Sequence, residues 1–417
     1  MPASQGLSIL DVYVVGEVLY RYSFNNFITM ARVAFMSLLV SALLCFASAT
    51  FDITSKNNVA VYYGQGPNQK RLTTYCADPT IDIIILSFVY LFPQQADGYP
   101  GLNYGNQCSG EAYSGPGLKG VKIPSKDQLL KCPNLQEDLH TCRQISDKKI
   151  LMSLGGSSES GYQLSGATSG TNFADQLWGM FGPRQAGWMS LNKPRPFDYT
   201  STSGDRTTVY EFSVDGFDLD IERPSDDHSA GYIALARRLR ALYTTVSDKT
   251  RYLTASPQCI VPDANLADTL RATQFDILFV QFYNTPSCSA RGWVTGNRKY
   301  VPGGAFSTSG FTFDAWAAWL RNTQYGRNTR MFITLPGSNP AANRGAYISV
   351  AETKQLASAY YCRPSFAGIG VWDATWAQQS VASGKNFFQN AKATLKAASV
   401  DARLPCAFGI ADVSVSA

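Results

Sequence analysis

The stretch Asp215-Gly216-Phe217-Asp218-Leu219-Asp220-Ile221-Glu222 places three acids two residues apart, with Phe217, Leu219 and Ile221 between them. In a β-strand that period puts Asp218, Asp220 and Glu222 on one face and the apolar residues on the other. Carboxyl groups crowded along a sheltered face cannot all ionise without sharing protons and hydrogen bonds. Their pKa values are pushed apart, and one carboxyl stays protonated. The pattern therefore suits general acid–base chemistry, with Glu222 as proton donor and Asp218 and Asp220 as the neighbours that tune it. Two plainer readings compete. A solvated sheet face would leave the acids in water, but the apolar alternate face argues against it. A calcium site draws its oxygens from a loop, and this segment is too apolar between its acids to be one.

The composition narrows the alternatives. The chain has 417 residues, 45% hydrophobic and 16% charged, enough for a large core in one or two domains. Only His140 and His228 are present, which leaves little room for a His-rich metal site or a Ser-His-Asp centre. His228 reads as a solvated helix-entry residue. The formal charge of +5 comes without a long Lys/Arg run, which argues against nucleic acid as a partner. Aromatic residues make up 12%, and flat rings suit sugar faces as well as ordinary cores.

The elements that would carry the acids recur eight times. Short apolar or β-branched runs fall at 59–63, 81–89, 149–154, 216–222, 252–256, 277–283, 331–335 and 368–372. Several are nearly continuous, as expected for parallel strands covered on both faces. Helical spacing over 230–246, 314–320 and 386–398 fills some of the gaps. Eight such alternations predict a single (β/α)8 TIM barrel with Glu222 at the C-terminal end of its strand, where barrel active sites lie. Gly115-Pro116-Gly117-Leu118-Lys119-Gly120 fits a dinucleotide fingerprint in letters, but it follows no strand and reads as a loop. No Walker motif, internal repeat or separate carbohydrate-binding module is seen.

Residues 1–49 read as a leader. Met30-Ala31-Arg32 precedes an apolar run from Ala34 to Phe46 and then Ala47-Ser48-Ala49, a secretory signal with cleavage after Ala49. Met30 is taken as the true start, with 1–29 untranslated; the alternative is an uncleaved signal anchor. The catalytic barrel is expected over 50–400, followed by a short tail over 401–417. Cys45 lies in the leader, and the remaining eight cysteines suggest four disulfides in a secreted chain.

Asp215 to Glu222 resembles the D-x-x-D-x-D-x-E signature of glycoside hydrolase family 18, the chitinases, and Ser153-Leu154-Gly155-Gly156 resembles the family's S-x-G-G strand. Val59 to Gln65, Tyr252 to Cys259, Val280 to Asn284 and Gly370 to Asp373 are similar, in order, to strands of its plant and fungal class III (hevamine-like) branch. The likeness covers about 58–395 and implies a retaining, substrate-assisted hydrolase, in which the substrate's own N-acetyl carbonyl attacks the anomeric carbon. It implies that Glu222 is the general acid/base, that Asp220 orients the acetamido group, that Asp218 holds Asp220, and that Tyr283 donates to the acetamido carbonyl. Gln281 would stand beside Tyr283, Trp372 would floor the sugar site, and Tyr62 and Phe88 would line the same subsite. Asp215, which opens the motif, is placed with the substrate-binding residues.

The class III pattern also implies the pairs Cys76–Cys142, Cys108–Cys132 and Cys259–Cys288, which leaves Cys362 with Cys406 to clip the tail, so the barrel's loops would be disulfide-stapled. Residues 183–214 depart from the compact plant type and would either wall one end of the cleft or lie on the surface. The expectation is a secreted or cell-wall-associated, monomeric endochitinase acting on chitin or chito-oligosaccharides, with no metal or cofactor and no stable membrane association. An endo-β-N-acetylglucosaminidase acting on N-glycans would share the same acids. A non-catalytic chitin-binding lectin or inhibitor on the same barrel is the alternative from another class, and the intact Glu222 argues against it.

Overall fold

The computed structural model describes residues 51–96, 98–113, 129–157 and 161–407. The leader, the Gly115–Gly120 loop and the last ten residues lie outside that range. Eight strands coincide with the eight apolar runs: β1 (Asn58–Tyr63), β2 (Ile83–Leu91), β3 (Lys149–Gly155), β4 (Gly216–Asp220), β5 (Tyr252–Ala255), β6 (Ile277–Gln281), β7 (Arg330–Pro336) and β8 (Phe366–Trp372). Each pairs in parallel with the next, and β1 pairs with both β2 and β8, so the sheet closes into a (β/α)8 barrel.

Strand parity divides the core in two. Ala60, Tyr62, Ile83, Ile85, Leu151, Phe279 and Phe332 fill the barrel interior. The alternate residues, such as Val59, Val61, Ile84, Leu86, Phe217 and Leu219, pack outward against the helices. This is why β2 reads as an unbroken apolar run: both of its faces are covered. The expected helices form at Ala230–Tyr243, Phe313–Arg321 and Phe387–Ser399. The last begins with a capping box in which Asn386 and Gln389 satisfy each other's backbone N–H groups.

The four disulfides join Cys76 to Cys142, Cys108 to Cys132, Cys259 to Cys288 and Cys362 to Cys406. Residues 183–214 are more structured than a loop reading implies. They hold a short helix, Ala186–Ser190, and a hairpin that pairs Tyr199–Ser203 with Arg206–Tyr210. Arg195 is buried at its centre and donates to the carbonyls of Gly179, Gly182 and Phe212 and to Asp198. That network satisfies a charge which would otherwise be costly to bury. The segment joins the end of the helix Ala167–Phe181 to the start of β4, on the side of the strand opposite to Glu222. It therefore does not wall the cleft.

Candidate active site

β4 carries the acid ladder. Phe217, Leu219 and Ile221 are packed outward with at most 2% of their surface exposed, while Asp218 and Asp220 point into the barrel mouth. The strand ends at Asp220, two residues earlier than the alternation predicts. At that point Asp220 O accepts from the backbone N–H of Gly156 (2.7 Å), and Glu222 N–H donates to the Tyr162 hydroxyl (2.8 Å). The first extends the β3–β4 ladder past Gly155, and the second holds the chain as it leaves the sheet. Gly155 and Gly156 have φ of +108° and +81°. A Cβ on Gly155 would stand 2.3 Å from Asp220 O, and one on Gly156 would stand 2.8 Å from the Phe88 ring. The S-x-G-G spacing is therefore required by the approach of β3 to the acids.

Register explains the surroundings of Asp218. Ser153 on β3 and Thr254 on β5 are its lateral partners, so their side chains share its layer. Thr254 donates to one carboxylate oxygen (2.7 Å), and Ser153 (2.8 Å), Ser256 (2.9 Å) and Tyr62 (3.3 Å) donate to the other. Burial still raises the Asp218 pKa against those four hydroxyls. Tyr62 is thus committed to Asp218 and to a short hydrogen bond with Ser256. It is 3% exposed, with its ring centroid 5.7 Å from that of Trp372.

Asp220 and Glu222 sit one layer higher. The Gln281 carboxamide, at the end of β6, donates to Asp220 Oδ1 (2.9 Å), to Glu222 Oε1 (3.2 Å) and to Ser256 O (3.1 Å). Burial, then the charges of Glu222 and Asp218, push Asp220 well above the ordinary carboxyl range. Burial also raises Glu222, with a further push from Asp263 that the Gln281 hydrogen bond partly opposes. Tyr283 is held in its neutral, proton-donating form by burial and by Asp220 and Glu222.

These groups open into a cleft of about 400 Å³ lined by Phe88, Asp220, Glu222, Gln281, Tyr283 and Trp372, together with Gln65, Tyr90, Asn103 and Asn284. Trp372 ends β8 and stacks on Phe88 with ring centroids 5.8 Å apart. Asp215 lies elsewhere. It precedes β4 and forms ion pairs with Arg143 (2.6 Å) and Lys249 (2.8 Å) at the opposite end of the strand. Burial would raise its pKa, but the two cations hold it below the ordinary value. It anchors the barrel's base and does not join the substrate-binding residues, contrary to the sequence expectation.

Sequence reasoning missed Tyr162, which accepts from Glu222 N and donates to Asp220 O (3.3 Å), because it sits in an aperiodic Gly/Ser loop. It also missed Asp263, which accepts from the backbone N–H groups of Gln258, Asn265 and Leu266. Ser153 and Thr254 were accessible in principle, through the parity of the strands flanking β4. Among the described residues, no group of three or more His, Cys, Asp or Glu is placed to hold a metal ion.

The family model described as Glycosyl hydrolases family 18 matches residues 58–393. The chain is 37% identical over 353 residues to "Endochitinase A" of Aspergillus niger, covering 84% of this chain and 25% of that protein. It is 39% identical over 335 residues to "Endochitinase 2" of Coccidioides posadasii, covering 79% of this chain and 35% of that protein. The chain thus spans well under half the length of the curated relatives it matches. Among solved structures, the ICChI chitinase of Ipomoea carnea superposes with a TM-score of 0.56 at 23% identity, covering 81% of this chain and 99% of that one. The xylanase and alpha-amylase inhibitor protein XAIP-II of Scadoxus multiflorus gives the same TM-score and identity over 81% and 98%. At that identity the likeness concerns the fold alone. With the family match running from β1 to the last helix, the chain belongs to glycosyl hydrolase family 18.

Proposed function

We propose that this protein is an endo-acting chitinase that hydrolyses β-1,4 bonds between N-acetylglucosamine units by a retaining, substrate-assisted route. One observation carries the reading: among the described residues, Asp220 and Glu222 are the carboxylates that line the cleft, and both leave the same strand end under one Gln281 donor. A glycosidase with its own nucleophile, or an inverting one, needs a second carboxyl across the scissile bond. Among the described lining residues the pair stands on one side, which favours the substrate's acetamido oxygen as nucleophile.

In this mechanism Glu222 protonates the glycosidic oxygen as the acetamido carbonyl attacks the anomeric carbon, and the C–O bond breaks to give an oxazolinium. Asp220 accepts from the acetamido N–H and, in its ionised form, balances the developing positive charge, which in turn favours that form against the burial that raises its pKa. Tyr283 donates to the acetamido carbonyl, and Trp372 supports the sugar face. Glu222, now ionised, takes a proton from the water that opens the ring. Its raised pKa suits the first step, since the acid must still hold its proton near working pH.

The chemistry favours chitin and chito-oligosaccharides over polymers that lack the 2-acetamido group. Secretion of residues 50–417 after cleavage at Ala49 belongs to the same reading, and four disulfides support it because such bonds persist in oxidising compartments. Among the described residues no helix is long and apolar enough to cross a membrane. Glu222→Gln should abolish hydrolysis of a chito-oligosaccharide, by about 10³-fold or more, while retaining its binding. A wild-type protein that binds these sugars without cleaving them would favour the lectin reading instead.

A further inference from the structure

A second and larger cavity, about 620 Å³, lies on the flank of the barrel. It has three walls. Pro93, Gln94 and Gly98 come from the connection after β2; Leu164 to Gln176 come from the connection after β3 and its helix; Gly187 to Lys193 come from the inserted segment. The first two connections begin at the active cleft, since β2 supplies Phe88 and Tyr90 to it and β3 runs into Gly155 and Gly156. Both cavities thus draw on the connections that leave the same two strands.

The lining chemistry is specific. Gln94, Asn172 and Gln176 present carboxamides, and Ser169 presents a hydroxyl. Gln94 is fixed by bonds with Ser169 Oγ (3.1 Å) and Ser165 N (3.3 Å), and Gln176 by one to Gly98 O (2.6 Å). Each of these carboxamides has hydrogen-bonding capacity beyond the bonds it makes here. Leu191, 55% exposed, and the edge of Trp188 add hydrocarbon. The two charged lining residues, Asp175 and Lys193, are both engaged. Asp175 is paired with Arg238 (2.8 Å), and the Lys193 ammonium lies 4.7 Å above the Trp188 ring. A nucleotide, phosphate or acidic polymer would meet no cationic cluster, whereas a neutral sugar with hydroxyl, amide and methyl groups finds a counterpart for each. Trp188 itself is not a stacking platform. One face rests on Gly179, where a Cβ would come within 2.2 Å of the ring, and Lys193 covers the other.

We infer that this cavity is an accessory subsite for a neutral N-acetylglucosamine polymer, built by the inserted segment and engaged by the part of a chain that runs beyond the cleft past Tyr90. The inference rests on the proposed chitinase reading and adds to it a length-dependent grip remote from the acids. It also gives residues 183–214 a role that is neither wall of the cleft nor idle surface.

The test is calorimetric binding of a chito-oligosaccharide series, from trimer to decamer, to the Glu222→Gln protein with and without Leu191→Asp and Asn172→Ala. Both of the latter side chains are exposed, so the fold should stand. Trp188→Ala, checked for folding by circular dichroism, is the third variant, because the ring packs on Gly179 and donates to Pro194 O (3.0 Å). The expected result is a loss of about 5–10-fold in affinity for the longest oligomers, with trimer affinity unchanged. Equal affinity of variant and parent at every length overturns the accessory subsite and leaves the chitinase reading intact. Failure of the parent to bind any oligomer overturns both.

Discussion

Gln281 Nε2 stands 2.9 Å from Asp220 Oδ1, and the same nitrogen reaches Glu222 Oε1 at 3.2 Å. One neutral donor thus serves two acids that burial would otherwise drive toward protonation together. The arrangement fixes both side chains and keeps Glu222 lower than burial alone would set it.

Replacing Gln281 with Leu removes that donor while keeping the volume. The hydrogen bond lowers the Glu222 pKa, so its loss should move the alkaline limb of kcat to higher pH, because the acid keeps its proton longer. The maximum of kcat should fall about 10²-fold as the pair loses its geometry. A pH–rate profile on a soluble chito-oligosaccharide reads both effects. An unmoved limb would show that Gln281 does not touch the acid in solution.

Tyr162→Phe removes the hydroxyl that bridges Asp220 O and Glu222 N without changing the ring packed against Phe92. The Glu222 N–H loses its partner, while Asp220 O keeps the Gly156 N–H, so stability should drop by about 1–3 kcal/mol. Glu222 should sample more positions, giving about a tenfold lower kcat with little change in KM. Steady-state kinetics and a denaturant titration separate the two effects.

Asp215→Ala tests the correction to the sequence reading. The substitution leaves Arg143 and Lys249 without their buried counter-ion, which should destabilise the fold by about 3–5 kcal/mol. The Asp215 carboxyl is depressed in the folded state, so its stabilisation is present above the ordinary carboxylate pKa and is lost as pH falls through the folded value. The deficit of the variant, read by urea titration, should therefore shrink in acid. At 25 °C the molecules that remain folded should keep wild-type kcat and KM.

How much of this was legible in the chain follows from parity. Asp218, Asp220 and Glu222 alternate with residues that had to be buried, so one apolar face located the acids on the other, and the near-continuous run in β2 announced a strand covered twice. The end of β4 was not legible, because the departing chain is held by Tyr162, which comes from a different connection. Asp215 shares the motif's letters but lies five residues before Asp220, at the other end of a five-residue strand, and only the placement of Arg143 and Lys249 reveals its partners. Tyr62 has the parity of a cleft residue, but its bonds to Asp218 and Ser256 were not legible, since they join three separate strands and connections. The hairpin at Tyr199–Tyr210 was hidden because its Ser and Thr residues bury nothing that alternates.

Glu222→Gln should also stabilise the protein. A carboxyl raised in the folded state imposes no penalty below its unfolded pKa, where both states hold the proton, and its full penalty above the folded value. Stability therefore falls as pH rises through that window. The amide cannot ionise, so the variant should melt about 2–4 °C higher at neutral pH and close to wild type near about pH 4. Calorimetric scans across that range check the sign.

The account stands most directly on the substrate's acetamido oxygen serving as nucleophile beside the one-sided Asp220–Glu222 pair. The decisive measurement compares initial cleavage rates of a chito-oligosaccharide and its fully de-N-acetylated counterpart at equal saturation, under the same pH and salt. The account predicts turnover of the first and loss of at least about 10³-fold with the second. Comparable cleavage of both would mean that the enzyme supplies its own nucleophile, and would contradict it.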